Sequence, residues 1–219
     1  MTVLQKLCLT CVSLLLTACT SSGSAIWDSI RAGVRPTPPV DQSALSRDVS
    51  YLRLRVDGRE LYLALGYVDP QPQGAVEVWY SAGREVVRLQ GGRVVGTAGL
   101  LTEWRQVVLP ELPAWRDLTG GHRWIRTRDV MPGYRMGVTD TLDVRGIPAP
   151  PDVKLTGFEG VALVWFEERA ETMPADPTLR LPPARYAVYV DEAGTETVVY
   201  GEQCIAADLC FTWQLWPTS

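Results

Sequence analysis

The chain has 219 residues, of which 46% are hydrophobic, and this is enough to form one domain with a sizeable core. Its 21 Lys and Arg residues stand against 25 Asp and Glu residues, for a formal net charge of −4. This mildly acidic balance argues against nucleic-acid binding, which requires a basic domain.

The first 18 residues have the pattern of a secretory signal peptide. Lys6 precedes an apolar run from Leu7 to Leu16, and small residues follow up to Cys19. The run is shorter than the ~20 apolar residues that cross a bilayer. We therefore expect residues 1–18 of the 219 to be removed, which leaves 201 residues with a formal charge of −5.

The sequence Leu16-Thr17-Ala18-Cys19 also resembles a bacterial lipobox. In such proteins the chain is cleaved before the Cys, whose thiol and new amino terminus are acylated. An ordinary signal peptide with a coincidental Cys is the alternative. The Leu and Ala positions and the Ser- and Gly-containing segment that follows favour lipidation of Cys19. Thr20, in place of Asp, predicts sorting to the outer membrane.

The residues between Cys19 and the first predicted strand are typical of a spacer. A short helix is predicted over Ala25 to Ile30, and the prolines at 36, 38 and 39 end it, because proline lacks an amide donor. We therefore divide the chain into a signal peptide at 1–18, a lipidated tether with a Pro-rich spacer at 19–49, and a β-domain at 50–219.

From Tyr51 onward the hydrophobic residues repeat with a period of two, which is the period of a β-strand. Turn sequences such as Asp57-Gly58 and Gly91-Gly92 separate the apolar runs. Strands are predicted at Tyr51–Val56, Glu60–Tyr67, Val76–Tyr80, Glu85–Leu89, Arg93–Thr97, Arg123–Val130, Met136–Val144, Gly160–Glu168, Arg185–Val190, Glu196–Tyr200 and Phe211–Leu215. These short strands predict an all-β, mainly antiparallel meander that is curled or closed like a barrel.

Cys204 and Cys210 are the cysteines that remain after the signal peptide and Cys19. In an oxidising periplasm two thiols six positions apart are expected to pair if the chain turns back between them. A metal site or a redox pair is the alternative, but the spacing is not Cys-x-x-Cys and His122 is the sole histidine. We predict a structural disulfide, and neither a metal ion nor another cofactor.

The catalytic candidates are weak. Glu167 and Glu168 are adjacent carboxylates of the kind that hydrolases use, but neighbours on a strand point to opposite faces. Asp140 and Asp143 also lie on opposite faces of a strand. We therefore interpret all of these acids as solvated residues at a strand end. His122 lies in a Gly-containing turn without a Gly-x-Ser-x-Gly sequence, and we interpret it as a surface residue. The chain is therefore predicted not to be an enzyme.

A glycine cluster from Gly91 to Gly99 lacks the spacing of a phosphate-binding loop and lies among predicted strands. Hairpin turns and β-bulges account for it better.

Tryptophan is enriched, with eight residues. Aromatic rings stack on sugar rings, although core packing is the usual role of Trp on alternating strands. Trp104 and Trp115 lie in the turn-rich segment from Thr102 to Leu118. We therefore predict that these two are exposed and form a candidate binding surface.

Several short blocks follow one another along the chain, namely Leu16–Cys19, Trp27–Ile30, Val78–Ser81, Gly92–Thr97 with Gly99-Leu100, Trp124–Thr127, and Arg185–Asp191 with Gly194. Their order and spacing resemble the YjbF family, also called the group 4 capsule polysaccharide lipoprotein family. The resemblance implies an outer-membrane lipoprotein with a mostly β, barrel-like domain. It also implies a role in making or exporting an extracellular polysaccharide, beside a periplasmic protein and a large outer-membrane β-barrel protein. No enzymatic activity is attached to the family.

The leading hypothesis is a non-enzymatic accessory lipoprotein that faces the periplasm and docks on an export partner or on the glycan. A periplasmic glycan-processing enzyme is one alternative, and a structural or chaperone-like lipoprotein that assists barrel assembly is another. The expected partners are membrane lipid through acylated Cys19, an outer-membrane β-barrel protein, periplasmic export proteins and, where the glycan is bound directly, the polysaccharide.

Overall fold

A computed structural model of the chain describes residues 45–56, 58–171 and 174–216. The predicted signal peptide, Cys19 and the predicted helix at 25–30 lie outside these residues. The strands are β1 (Tyr51–Val56), β2 (Arg59–Asp69), β3 (Val76–Ser81), β4 (Val86–Gln90), β5 (Arg93–Ala98), β6 (Glu103–Val108), β7 (His122–Met131), β8 (Arg135–Ile147), β9 (Leu163–Ala170), β10 (Ala184–Val190), β11 (Glu196–Ala206) and β12 (Leu209–Trp216). Short 3-10 helices occur at Trp115–Leu118 and Pro177–Leu179.

The twelve strands form one antiparallel sheet in the order β5-β4-β3-β2-β1-β12-β11-β10-β9-β8-β7-β6. Apart from β5 and β6, strands that follow each other in the chain are neighbours in the sheet, and β1 pairs with β12. The two edges of the sheet are therefore β5 and β6, which lie side by side at a seam. The predicted all-β, antiparallel, barrel-like meander is confirmed. Among the described residues, no helix is long and apolar enough to cross a bilayer.

Side chains close the seam between β5 and β6. The backbone amide of Trp104 donates to Oγ1 of Thr97 at 3.0 Å. On the outer face, Arg88 reaches across β5 and donates to the carbonyl of Arg105 at 2.7 Å. A Cβ at Gly96 would overlap the Arg88 guanidinium, so glycine provides the path for this side chain. The bonds satisfy groups at an edge that would otherwise be open to pairing with other chains.

Strand alternation directs apolar side chains into the interior. The largest apolar cluster includes Leu52 and Leu54 of β1, Trp79 of β3, Leu89 of β4 and Trp213 of β12, each at most 2% exposed. On β1 the inward residues are the ones that the period of two predicts. A second cluster lies on the same inner face, over β7 to β10, and includes Trp115, Trp124, Phe166 and Tyr186.

The segment from Thr102 to Leu118 differs from the prediction because it contains β6 and a 3-10 helix. Trp104 is fully buried and Trp115 is 6% exposed, so the prediction that they form an exposed surface is wrong. Trp104 points inward from β6, and its indole donates to the carbonyl of Ile205 at 2.9 Å. The sequence did not indicate β6, because its inward apolar residues are too few to show a clear period.

The β11–β12 hairpin contains the predicted disulfide. Cys204 and Cys210 occupy directly paired positions on the two strands, and their sulfur atoms are bonded. The chain turns back at Ala207-Asp208, between the two cysteines, as the prediction requires. The prediction of the pair succeeded because it depends on a local turn alone.

The glycine cluster forms the β4–β5 turn and a β-bulge, as the sequence predicts. Gly91 and Gly92 have φ angles of +53° and +81°, a region that strains residues with a Cβ. A Cβ at Gly91 would meet open space, whereas one at Gly92 would lie 2.6 Å from Val198 of β11. Gly92 therefore allows the turn to pack directly against a neighbouring strand.

We predict that Gly92→Ala lowers the free energy of unfolding by more than Gly91→Ala. Both variants carry the strain of a positive φ, which costs about 1–2 kcal/mol. Gly92→Ala must also displace Val198, and overpacking adds about 1–3 kcal/mol. Urea unfolding of the purified chain measures the difference, and equal losses in the two variants would contradict the close packing at Gly92.

Candidate functional site

The interior of the sheet contains five charged side chains, which we call the interior charge cluster: Arg93 of β5, Arg126 and Arg128 of β7, Asp140 of β8 and Glu168 of β9. Each of them is at most 5% exposed. Ionised groups are costly to bury unless they are paired. The geometry of the pairs therefore decides whether the cluster is structural or reactive.

Both carboxylates are bound by arginines. Oδ2 of Asp140 accepts hydrogen bonds from Nη2 of Arg126 at 2.8 Å and from Nε of Arg128 at 2.7 Å. Oε2 of Glu168 accepts one from Nε of Arg93 at 2.8 Å. Arg126 also lies 3.9 Å from the Glu168 carboxylate and so links the two groups. Three guanidinium groups against two carboxylates leave the cluster with one excess positive charge.

Aromatic rings surround the excess positive charge. The guanidinium carbon of Arg93 lies 4.0 Å from the ring centroid of Trp115 and 4.7 Å from that of Trp124. Arg126 and Arg128 lie 4.8 and 5.3 Å from the ring of Trp104. Cation–π contacts are stronger where both partners are removed from water. The two tryptophans that were predicted to bind a ligand at the surface therefore cover arginines in the interior.

Trp115 is held in place from both sides. Its indole donates to the carbonyl of Gly91 at 3.2 Å, and its backbone amide donates to the Glu196 carboxylate at 2.8 Å. Its ring also packs against Phe166 and Tyr186, at centroid distances of 4.9 and 5.1 Å. These contacts come from distant parts of the chain, which is why the local sequence suggested an exposed turn.

The titration behaviour of the cluster follows from its pairing. Burial by itself raises the pKa of the Asp140 carboxyl, but the hydrogen bonds and charges of Arg128 and Arg126 outweigh it and hold the pKa below its ordinary value. Burial also raises the pKa of the Tyr186 phenol, and the Glu168 charge raises it further. Tyr186 therefore stays protonated and donates to Oε1 of Gln203 at 3.0 Å.

The interpretation of the acidic residues as a solvated strand end is wrong for Asp140 and Glu168, which are buried. The expectation that Glu167 and Glu168 face opposite sides is correct, because Glu167 points outward and binds Arg169. His122 is exposed at the start of β7, as expected for a surface residue. Sequence reasoning missed the proximity of Asp140 and Glu168, since it compared only residues on the same strand.

The cluster is suited to holding strands together. A carboxylate whose pKa is lowered by two arginines is a weak proton donor, and the burial of Asp140 and Glu168 separates them from solvent. Within the described ranges, no group of three or more His, Cys, Asp or Glu side chains is placed to hold a metal ion. Candidate binding surfaces must therefore be sought on the outside of the sheet.

One such surface is a solvent-open groove of about 370 Å³, which we call the outer-face groove. It crosses β2 to β6 on the face opposite the core. Its apolar lining comes from Val76, Val78, Val95, Val107, Val108 and Leu109, and its polar and aromatic lining from Tyr67, Asp69, Gln71, Gln73, Arg88, Gln90, Arg105 and Gln106. The groove therefore combines apolar contact area with many hydrogen-bonding groups.

A second outer pocket, of about 280 Å³, is lined by several cationic side chains. Most of these cations already have partners. Arg53 donates to Gln214 at 2.7 Å, and Arg185 forms an ion pair with Glu202 at 2.8 Å. Arg55 pairs with Glu60 at 2.9 Å. The carboxylates compensate the charges of Arg55 and Arg185, whereas Gln214 is neutral and leaves the positive charge of Arg53 in this pocket.

Comparisons with known proteins agree on a family and a fold. The family model described as "Group 4 capsule polysaccharide lipoprotein gfcB, YjbF" matches residues 40–209. Among solved structures, the chain is similar to the hypothetical lipoprotein YmcC from Escherichia coli (K12), with a TM-score of 0.60 and 16% identity. The match covers 89% of this chain and 97% of that chain, and at this identity it shows the fold alone. No curated protein matches the chain.

We predict that Asp140→Asn destabilises the folded chain by about 3–5 kcal/mol at neutral pH, because it leaves Arg126 and Arg128 buried without their counter-charge. The control is Glu167→Gln, which removes an outward ion pair with Arg169 and is expected to cost at most about 1 kcal/mol. Urea unfolding measures both changes. Similar losses in the two variants would contradict the structural role of the cluster.

The difference between wild type and Asp140→Asn should also depend on pH. The pKa of Asp140 is lowered in the folded chain, so its stabilisation is fully present above the ordinary carboxyl pKa. It is lost as the pH falls through the lowered value, where the wild-type carboxyl becomes neutral like Asn. The unfolding free energies of the wild type and Asp140→Asn, measured by urea at a series of pH values, should therefore converge as the pH is lowered. A difference between them that stays constant with pH would count against the ion pairs.

Proposed function

The chain belongs to the YjbF family of group 4 capsule polysaccharide lipoproteins, which gives it a role in capsule polysaccharide production, and we propose that it acts as a non-enzymatic accessory of export. In this role it docks on an outer-membrane barrel partner or on the glycan itself, beside periplasmic export proteins.

The main support for the proposal is that the two acids of the interior charge cluster are buried and ion-paired. Asp140 and Glu168, which the fold brings to the same arginine, are 1% and 3% exposed and are held by ion pairs. A glycan-processing enzyme needs a pair of carboxyl groups that flank an accessible bond. These two acids stabilise the sheet instead, which favours a binding function on the outer face over the enzymatic alternative.

We further propose that acylated Cys19 anchors the chain in the outer membrane, facing the periplasm. Support comes from the sequence Leu16-Thr17-Ala18-Cys19 and from Thr20 after the Cys. Several acyl chains anchor a protein far more firmly than the marginal binding of a single myristoyl chain. The anchor would keep the β-domain close to the membrane in which an export barrel is embedded.

The chaperone-like alternative leads to a different phenotype. An assembly factor would act on the barrel partner, so deletion of this chain would lower the amount of folded barrel in the outer membrane. An export accessory would leave the barrel in place and lower polysaccharide output. Immunoblotting of the barrel in a deletion strain separates the two functions.

We predict that Cys19→Ser leaves an unprocessed or mislocalised precursor and lowers polysaccharide output in a deletion strain, because lipid attachment requires the thiol. Cys8→Ser is the matched control, since its thiol lies in the segment that is removed. Membrane fractionation and mass spectrometry of the amino terminus measure the result. Wild-type processing and output with Cys19→Ser would contradict the proposed anchor.

We also predict that His122→Ala and Glu167→Gln restore full polysaccharide output in the deletion strain. Both side chains lie on the outside of the sheet, where they would be accessible to a substrate. Loss of a general acid or base typically costs about 10²–10⁴-fold in rate. If either substitution abolishes output while the folded protein persists at its normal level, the chain is an enzyme.

A further inference from the structure

We propose that the outer-face groove is a carbohydrate-binding site that takes a short, uncharged stretch of the polysaccharide chain. The proposal rests on the proposed function and names the surface through which the chain would contact the glycan. Trp104 and Trp115 are buried, so the proposed binding site lies elsewhere, at a place that no local sequence motif indicates.

The shape of the groove suits a segment of a linear polymer. Its volume of about 370 Å³ lies in the range of small-molecule sites, and it is open to solvent instead of being enclosed. The sheet is interrupted here at the seam, so β6 forms one wall while β2, β3 and β4 form the other. An open groove of this size has room for a few sugar units.

The apolar surface of the groove matches the C–H faces of sugar rings. Val76 and Val78 of β3 lie at its base, and Val78 is only 3% exposed although it points to the outer face. Tyr67 lines the groove and is 54% exposed, so its ring is available for stacking.

The aromatic side chain is also partly fixed in position. The ring of Tyr80 lies 6.4 Å from that of Tyr67, measured between centroids. Tyr80 in turn covers Gly66, where a Cβ would come within 2.5 Å of its ring. The close approach keeps Tyr80 flat on the sheet beside Tyr67. A platform that is ordered before binding loses less conformational entropy when a ligand arrives.

The polar groups of the groove can form hydrogen bonds with the hydroxyl groups of a sugar. Four glutamines line it, namely Gln71, Gln73, Gln90 and Gln106. Each amide both donates and accepts hydrogen bonds, as does a sugar hydroxyl. Gln71 donates to Asp69 at 2.7 Å and Gln90 donates to the carbonyl of Gly74 at 2.8 Å, which orients these two amides.

The charges of the groove argue against an anionic ligand. Its two cations are Arg88, which is bound to the carbonyl of Arg105, and Arg105 itself, which lies 3.4 Å from Glu103. Asp69 adds a negative charge to the lining. A phosphate or a uronate would therefore gain little net attraction. A protein partner is also less well matched, since stable interfaces require a broader surface than this narrow groove.

The test uses the full chain and oligosaccharides released by partial hydrolysis of the capsule polysaccharide from the organism that encodes it. Isothermal titration calorimetry should detect binding to the wild type. Tyr67→Ala removes the stacking ring and Gln106→Ala removes an amide of the β6 wall, and each should weaken binding about tenfold or more. Tyr189→Ala is the matched control, because Tyr189 is 37% exposed on β10, outside the groove. It should bind within about twofold of the wild type.

Two outcomes would overturn the inference. One is the absence of fragment binding by the wild type, and the other is equal affinity in Tyr67→Ala and Tyr189→Ala. Urea unfolding midpoints that match the wild type confirm that the variants are folded. If Tyr67→Ala does not fold, Gln106→Ala serves as the second variant.

Polysaccharide output in a deletion strain separates failure of this inference from failure of the proposed function. If output depends on the chain but the chain binds no fragment, the inference fails and the accessory function stands. If groove variants lose output without losing fragment affinity, the groove serves a protein partner and the inference fails. If fragments bind but output does not depend on the chain, the accessory function fails and the groove remains a carbohydrate site.

Discussion

The pairing of buried arginines with Asp140 and Glu168 is the interaction on which the rest of the structure depends. Breaking such a pair leaves an uncompensated charge in a region without bulk water, so the strands that carry the partners must stay together. Arg93 on β5 binds Glu168 on β9, while Arg126 and Arg128 on β7 bind Asp140 on β8. The cluster thus links an edge strand to the opposite side of the sheet.

The same cluster accounts for the closure of the seam. Trp104 of β6 covers Arg126 and Arg128, while its backbone amide donates to Thr97 of β5. One residue therefore joins the interior charges to the facing edge strand. Paired charges and apolar clusters fill the interior, which is why we propose a binding function on the outer face. The outer-face groove lies at the seam, where β6 completes its wall.

The block from Gly92 to Thr97 shows why family resemblance identified the fold more readily than a mechanism. Gly92 allows the turn to pack on Val198, and Arg93 enters the interior charge cluster. Gly96 provides the path for Arg88, and Thr97 binds the edge strand β6. Each of these residues builds or closes the sheet. The groove residues, by contrast, are spread over five strands, and only those from Arg105 to Leu109 are contiguous in the sequence.

The sequence by itself determined the features that depend on neighbouring residues. The period of two predicted eleven of the twelve strands, and a local turn predicted the bond between Cys204 and Cys210. Only the tertiary structure decided which polar residues lie inside. Arg93 and Glu168 are 75 positions apart, so no local pattern shows that their charges cancel. Burial of a charged or aromatic side chain depends on the partner that the fold brings to it, and here those partners come from distant strands.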